Sequence, residues 1–413
     1  MTETLTNRSL EQALLDKLTT REAQAAVVGL GYVGLPLASE IARGGFNVTG
    51  IEMQPSRVDS VNQGESYIAD VTTEEMRPLV AAGKLRAQQS YDVLTHTDVI
   101  VVAVPTPLDK NRNPDIQFIR NVVHLSLPYL HPGQLIIMES TSYPGTLEEA
   151  VLPGIEGKGL RVGQDIFVAY SSERIDPGNT SYRLRNSPKV VGGVTPACTR
   201  LACAFYEAAI GAKTYPVSSP RVAEMSKLLE NTFRVVNVSL VNELSQLCDR
   251  MGVDIWEVIQ AASTKPFGFM AFYPGPGVGG HCIPIDPFYL SWKAKEYGFT
   301  TRFIELAGEI NEDMPVYVVS QAMEHLNSVG KALKGSKVLV LGLAYKRDIS
   351  DTRESAALKV VEFLMQRGAK VSYHDPYVPD IEIAGHRLQS VPLAAQTLKG
   401  NDLVIITTDH AGV

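Results

Sequence analysis

The chain has 413 residues, a formal net charge of −7 and an apolar fraction of 45%. These values describe a globular protein of two or three domains and exclude a disordered chain, a collagen-like repeat and a coiled coil. The mildly acidic balance argues against a general nucleic-acid or anionic-membrane binder. From the N-terminus, MTETLTNRSLEQALLDKL lacks the apolar segment of a signal peptide. Ala25–Gly29 reads as a strand feeding a glycine turn, Leu35–Arg43 as a helix, and Asn47–Ile51 as a second strand ending at Glu52. Further strands are expected at Val99–Val104, Gln134–Met138 and Asp165–Ala169. Such alternation implies a parallel, doubly wound sheet. No apolar run reaches the ~18–20 residues of a membrane span. A cytoplasmic protein with no membrane insertion and no nucleic-acid partner is expected.

Ser218–Gly252 differs in pattern. It has no Pro or Gly between Arg221 and Met251, and Met225, Leu228, Leu229, Val236, Leu240, Leu244 and Leu247 recur at helical spacing. Such a helix either bridges domains, forms a subunit interface, or is an ordinary core helix. A second strand–turn–helix–strand unit opens at Lys337 with KVLVLGLAY, continues through a helical pattern over Arg353–Arg367, and ends with a strand Lys370–His374 at Asp375. Asp402–Thr407 reads as another strand, after which the sequence stops at Val413. The expected architecture is α/β: two Rossmann-like doubly wound domains joined by a long central helix and a helical middle domain. The expected boundaries are 1–216, 217–316 and 317–413, the last apparently truncated at its C-terminal end.

Gly29-Leu30-Gly31-Tyr32-Val33-Gly34 follows a strand and opens a helix. Gly29 permits the tight turn, Gly31 lets backbone approach a pyrophosphate, and Gly34 allows close helix–strand packing. Glu52 closes the second strand at the distance where a carboxylate meets the adenine ribose, which favours NAD over NADP. Val104-Pro105-Thr106-Pro107 and Glu139-Ser140-Thr141 lie at strand ends, where open sheets bind ligands; either can equally be plain turn chemistry.

Gly275-Pro276-Gly277-Val278-Gly279-Gly280-His281-Cys282 is the most unusual segment. Its glycines can wrap a ligand, and Cys282 would sit at a helix start, where a thiol becomes a usable thiolate. Asp286 would then share a face with Cys282. The other cysteines, Cys198, Cys203 and Cys248, read as packing residues. No CxxC or zinc-finger spacing is present, so neither a disulfide framework nor a metal site is expected. Lys227 and Asn231 are spaced i, i+4 and can donate together to an oxyanion, or Lys227 can be a solvated surface residue. Glu173 follows a strand and is a possible acid/base. Lys346, Asp351 and Arg353 follow the first strand of the unit that opens at Lys337, where the two cations could meet phosphate; equally they can form a solvated turn.

From Ala25 onward the chain resembles the UDP-glucose/GDP-mannose dehydrogenase family. GLGYVGLP, VPTP, ESTSYPGT, the SSE turn, EMSKLLENTFRVVNVSLVNE, PGPGVGGHCIPIDP and KRDISDTRES occur in that family's order. The resemblance implies an enzyme that oxidises a sugar C6 alcohol to a carboxylate with two NAD. UDP-N-acetylglucosamine is the expected substrate, for precursors of surface polysaccharides such as lipopolysaccharide O-antigen. UDP-ManNAc, UDP-GalNAc and UDP-glucose are the alternatives. Carried over by motif, Cys282 is the nucleophile, Lys227 and Asn231 stabilise oxyanions, Glu173 assists proton transfer and thioester hydrolysis, and Thr141 and Asp286 position water or move protons. Gly29, Gly31, Tyr32, Val33, Gly34, Glu52, Arg57, Pro105, Thr106 and Thr141 would hold NAD. Glu173, Arg174, Lys227, Asn231, Tyr273, Gly275, Gly277, Gly279, Lys346 and Arg353 would hold the UDP-sugar. A homodimer or higher homo-oligomer is implied.

The sequence departs from the family at three places: Glu52 stands where many members have Asp, Ser172 precedes Glu173 where members have Pro, and the chain stops early. Two other function classes compete. A two-electron hydroxy-acid dehydrogenase needs neither Cys282 nor the second α/β unit. A non-catalytic nucleotide-binding regulator does not need the Cys-Lys-Glu set.

Overall fold

The computed structural model describes residues 2–68, 70–174 and 182–412. The chain forms two compact units, residues 1–228 and 229–413. The first is built on eight strands: β1 Gln24–Val28, β2 Asn47–Ile51, β3 Leu85–Gln88, β4 Val99–Val102, β5 Leu135–Met138, β6 Phe167–Tyr170, β7 Lys189–Gly193 and β8 Thr214–Val217. Their order is β3-β2-β1-β4-β5-β6-β7-β8, with every neighbouring pair parallel except β6–β7. The central runs VIVV, LIIM and FVAY are buried along their whole length, as strands covered on both faces must be. The order reverses between β1 and β4, so the ends of those two strands form the crevice where such sheets bind ligands.

Helix Thr2–Thr20 was not expected from the sequence. Leu14 and Leu18 of this helix are buried in one cluster with Phe46 and Phe205.

The second unit holds the sheet β10-β9-β13, all parallel, from β9 Lys337–Leu341, β10 Lys370–His374 and β13 Leu403–Ile406. A hairpin, β11 Asp380–Ile383 with β12 His386–Gln389, lies beyond β10 in sequence. Helix Arg302–Ser328 and helix Ala356–Gln366 cover the sheet through Val319, Leu326, Val360, Val361 and Leu364. The helical pattern predicted from Arg353 begins three residues later. Glu354 takes a left-handed φ of 51°, which an α-helix cannot contain, so Ser355 becomes the N-cap position.

The long helix runs from Pro220 to Met251, close to its predicted extent. Most of its apolar stripe is exposed. Met225, Leu229, Leu240, Leu244 and Leu247 are exposed, while Leu228, Asn231, Val235, Ser239 and Asn242 form the buried face. Polar partners explain that choice: Ser239 donates to the Ala307 carbonyl (3.0 Å) and Asn242 to the Asn311 side chain (3.1 Å). An ordinary core helix would bury its leucines instead.

Candidate active site

In the first unit the chain leaves β1 through Gly29, whose φ is +89°. A Cβ there would lie 2.5 Å from the Ala103 carbonyl oxygen, and one at Gly34 would lie 1.7 Å from the Gly29 oxygen. Both positions therefore exclude any side chain. Gly31 differs, because nothing lies within 4 Å of its would-be Cβ. Open space at that amide, together with a helix start at Gly34 that no side chain caps, suits an approaching pyrophosphate. Tyr32 is exposed beside it, and Val33 occupies the cap position.

Glu52 is buried and accepts from the amides of Leu30 (3.1 Å) and Gln54 (3.0 Å), with Arg57 at 3.6 Å. Each carboxylate oxygen keeps further lone pairs for ribose hydroxyls. These features fit a dinucleotide whose ribose carries no 2′-phosphate. Tyr67 donates to the Leu30 carbonyl (2.7 Å), a support for the glycine turn that sequence reading did not single out.

The opposite wall is tied together by Ser140. It accepts from the Val104 amide (2.9 Å) and donates to the Val104 carbonyl (2.8 Å), joining the Val104–Pro107 turn to the segment that carries Thr141. Pro105 is exposed, and Thr106 and Thr141 are half-buried.

Glu173 follows β6 and is buried; that burial pushes its carboxyl up to about 7 against the opposing pull of Lys227 and Lys189. Lys227 is buried as well and donates to the Glu173 carbonyl (2.7 Å), so the solvated-surface alternative for this lysine falls. Lys189 and Glu139 form a fully buried ion pair at 2.6 Å. Lys189 also donates to the Ser172 carbonyl (3.0 Å), and Tyr206 to Glu139 (2.5 Å). This network underlies the Ser171–Glu173 turn and carried no recognisable signal, because Lys189 stands 50 residues from its partner. Arg174 is half-buried and donates to the Pro188 carbonyl (2.9 Å).

In the second unit Cys282 is exposed and Cys248 half-buried; in the first, Cys198 is buried and Cys203 half-buried. Helix Asp286–Glu296 begins one turn after Cys282 rather than at it. The Asp286 amide donates to the Cys282 carbonyl (2.8 Å), so Cys282 sits in the turn that leads into the helix, not on its face. Asp286 is buried and accepts from the Asn231 side-chain amide (2.5 Å). Asn231 is therefore engaged by a carboxylate.

The glycine loop is shaped by its neighbours in the fold. Gly275 donates to the Asn242 side chain (2.9 Å) and has open space at its Cβ position. A Cβ on Gly277, which takes φ +127°, would lie 2.9 Å from the Asn311 carbonyl oxygen, and one on Gly279 would lie 2.6 Å from the Tyr345 Cβ. Internal packing alone is enough to demand glycine at those two positions. Tyr273 is exposed and stacks on Trp256 (5.9 Å, 17°). Lys346 is half-buried in the loop after β9. Arg353 grips Asp351 through both Nε and Nη2 (2.9 and 2.5 Å), so a phosphate there would compete with a carboxylate. Among the described residues no three His, Cys, Asp or Glu side chains are placed to hold a metal ion, and no helix is long and apolar enough to cross a membrane.

Comparison with known proteins bears on this geometry. Residues 23–210 match the NAD binding domain of the UDP-glucose/GDP-mannose dehydrogenase family, residues 221–313 its central domain, and residues 339–413 its UDP binding domain. The UDP-N-acetyl-D-glucosamine 6-dehydrogenase of Pseudomonas aeruginosa is 36% identical over 392 residues, covering 95% of this chain and 91% of that protein. The NDP-N-acetyl-D-galactosaminuronic acid dehydrogenase of Ralstonia nicotianae is 35% identical, covering 93% of this chain and 90% of that protein. The structure of a UDP-D-ManNAc dehydrogenase from Pyrococcus horikoshii superposes with a TM-score of 0.86 at 33% identity, covering 94% of this chain and 89% of that one. With the glycine turn, Glu52 and the two α/β sheets in place, the chain belongs to the UDP-glucose/GDP-mannose dehydrogenase family and is an NAD-dependent nucleotide-sugar dehydrogenase.

Proposed function

We propose that the chain oxidises the C6 hydroxyl of a UDP-N-acetylhexosamine, UDP-GlcNAc before its epimers, to the uronic acid through a covalent intermediate on Cys282. The observation that carries the reading is the placement of that cysteine: exposed at the end of a glycine loop while the other three are buried or half-buried. The preference for UDP-GlcNAc rests on the Pseudomonas relative; the Ralstonia relative and the Pyrococcus structure name other sugars. The matched segments support a cofactor domain over 1–216, a central domain over 217–316 and a UDP-sugar domain over 317–413.

NAD, when bound, would supply the hydride acceptor for each of the two hydrides that leave C6. Gly29, Gly31, Tyr32, Val33, Gly34, Glu52, Arg57, Pro105, Thr106 and Thr141 bind and orient the cofactor. The C6 hydroxyl gives up its proton as the first hydride departs, with Thr141 ordering the water that receives it. The Cys282 thiolate then adds to the aldehyde carbon, and the new oxyanion meets the Lys227 ammonium and the Asn231 amide. Loss of the second hydride leaves a thioester. Glu173, ionised above about 7, takes a proton from water as that water attacks the thioester, and the thiolate leaves. Asp286 orients Asn231. Arg174, Tyr273, Gly275, Gly277, Gly279, Lys346 and Arg353 bind the UDP-sugar. The exposed leucines of the long helix form a contact between copies of the chain in a homodimer.

The test offers UDP-glucose, UDP-GlcNAc, UDP-GalNAc, UDP-ManNAc and GDP-mannose in parallel to the wild type and to Cys282→Ser, and counts NADH per sugar. Two NADH per UDP-GlcNAc, lost in Cys282→Ser, is the expected result. Full conversion to the acid by Cys282→Ser overturns the covalent route. A higher kcat/KM on another sugar reassigns the substrate, and one NADH per sugar restores the two-electron alternative.

A further inference from the structure

Glu224 lies on the long helix, one turn before Lys227, and its side chain is completely buried. A buried carboxylate without partners is strongly disfavoured. Here one oxygen accepts from the Gly145 amide (2.6 Å) and the other from the Leu147 amide (3.2 Å). Those amides stand 79 and 77 residues away, in the turn between β5 and the helical segment Leu147–Val151. Thr141 stands in the same connection, four residues before Gly145. Gly145 takes φ +103°, a conformation that presents its amide to the long helix. Leu147 opens a helical segment, where backbone amides point outward and a negative charge is favoured.

The same stretch of helix grips a second element. Lys227 donates to the Glu173 carbonyl, so two side chains one turn apart take hold of two different loops. Arg221 adds an ion pair to Glu148 (2.5 Å), half exposed and correspondingly weak. The strong tie is the buried one.

We infer that Glu224 is a positioning residue for the dehydrogenase reaction: its carboxylate sets the Thr141 loop against the stretch of helix that carries Lys227. The inference rests on the role proposed above for Thr141. An apolar residue at 224 would fill the space but leave two amides without acceptors. Glutamine can serve one amide through its carbonyl oxygen and turns an N–H toward the other.

The charge state of the carboxylate tunes the grip. Burial pushes it up to about 7, the two amides pull it back, Glu148 pushes it up and Arg221 pulls it down. Glu149 faces the same turn, with Oε1 3.0 Å from the Cβ position of Gly145. When ionised, both oxygens accept fully; when protonated, the hydroxyl oxygen is the poorer acceptor and the loop loosens. Glu173 titrates in the same range, so the two losses compound as pH falls.

The test is a double-mutant cycle of Glu224→Gln and Thr141→Ala on the full chain, with kcat, KM and thermal unfolding measured for each. We expect Glu224→Gln to lower kcat roughly 10- to 100-fold with little change in the KM for sugar. In the Thr141→Ala background the same change should cost little more, because it acts through a residue already gone. The acid limb of log kcat against pH should also become shallower in Glu224→Gln. Additive losses with a wild-type pH profile overturn the positioning role and leave Thr141 standing. A Thr141→Ala protein with unchanged kcat overturns both. If Glu224→Gln does not fold, Glu224→Asp, which keeps the charge and shortens the reach, takes its place in the same cycle with the same two outcomes.

Discussion

The molecule contains the same opening move twice, with different results. β1 and β2 pair in parallel from Gln24–Asn47 to Val28–Ile51, and β9 and β10 pair in parallel from Lys337–Lys370 to Leu341–His374. Each first strand turns through a left-handed glycine, Gly29 at φ +89° and Gly342 at φ +84°. Each glycine amide donates at 2.8 Å to the last residue of the second strand, Ile51 or His374. Each second strand is followed by an acid, Glu52 or Asp375. Beyond that point they diverge. After Gly29 the helix begins at Gly34, and the turn leaves Gly31 facing open space. After Gly342 the chain wanders to Ala356 before a helix starts.

The acids diverge as well. Glu52 accepts from two amides, whereas Asp375 accepts from those of Leu343, Ala344, Tyr377 and Val378 and also pairs with buried His410 at 3.1 Å. Asp375 is spent on the fold. Glu52 retains acceptor capacity. A shared frame therefore does not carry a shared role; the number of local donors around the acid decides it.

The sharpest test of that contrast is steric. Gly34→Ala places a methyl on the Gly29 carbonyl, so loss of the folded first unit, or a penalty above about 4 kcal/mol, is expected in urea unfolding. Asp375→Ala should follow closely. It orphans four amides and His410 in the second unit, and a loss of about 3–5 kcal/mol is expected. A small effect would mean that Asp375 resembles Glu52 after all.

pH provides a comparison of opposite sign. Glu173 and Glu224 in the first unit hold protons up to about 7, while the unfolded chain releases them near 4.5. The native state binds more protons between those values, so this unit loses stability as pH rises through them, by at most about 1.4 kcal/mol per pH unit for each group. Asp375 runs the other way. Burial pushes its carboxyl up, but the Leu343, Tyr377 and Ala344 amides and the His410 charge together outweigh that and hold it below the ordinary 3.8. Its contribution is complete above 3.8 and is lost as pH falls below. Hydrogen exchange by mass spectrometry across pH, corrected for intrinsic rates, should show β1–β6 and β9–β10 responding in opposite directions.

Smaller effects concern the cofactor. Glu52→Gln should leave stability within about 1 kcal/mol while shifting the NAD:NADP preference about tenfold toward NADP, measured as the ratio of kcat/KM. Gly31→Ala should leave the unfolding midpoint unchanged or slightly raised, because the site has room and the unfolded chain loses freedom. Its effect should appear instead as weaker NAD binding in calorimetry. A destabilised Gly31→Ala protein would contradict the open space at that amide.

Much of this was readable in advance. The glycine spacing located the turn, and the breaker-free stretch located the long helix within two residues of its ends. The sequence left the buried face of the helix open, because Leu229, Leu240, Leu244 and Leu247 have a period that suits a core or an interface alike. Ser239, Asn242 and Asn311 bury each other instead, and no helical pattern announces that three polar residues will be mutual partners. Lys189 and Glu139 were equally silent. Taken singly, a lysine and a glutamate look like surface. Glu224 stood inside a quoted motif, yet only the tertiary structure shows that it accepts from the Gly145 and Leu147 amides.

The division follows from the range of the forces. Strand runs, helix spans and left-handed glycines depend on backbone sterics and on neighbours a few residues away, so composition and spacing suffice to place them. Which charges are buried, which amides they satisfy and which apolar face stays exposed depend on residues 50 to 79 positions distant that the fold brings together. Desolvation makes those partnerships obligatory once formed, and only the tertiary structure says where they form.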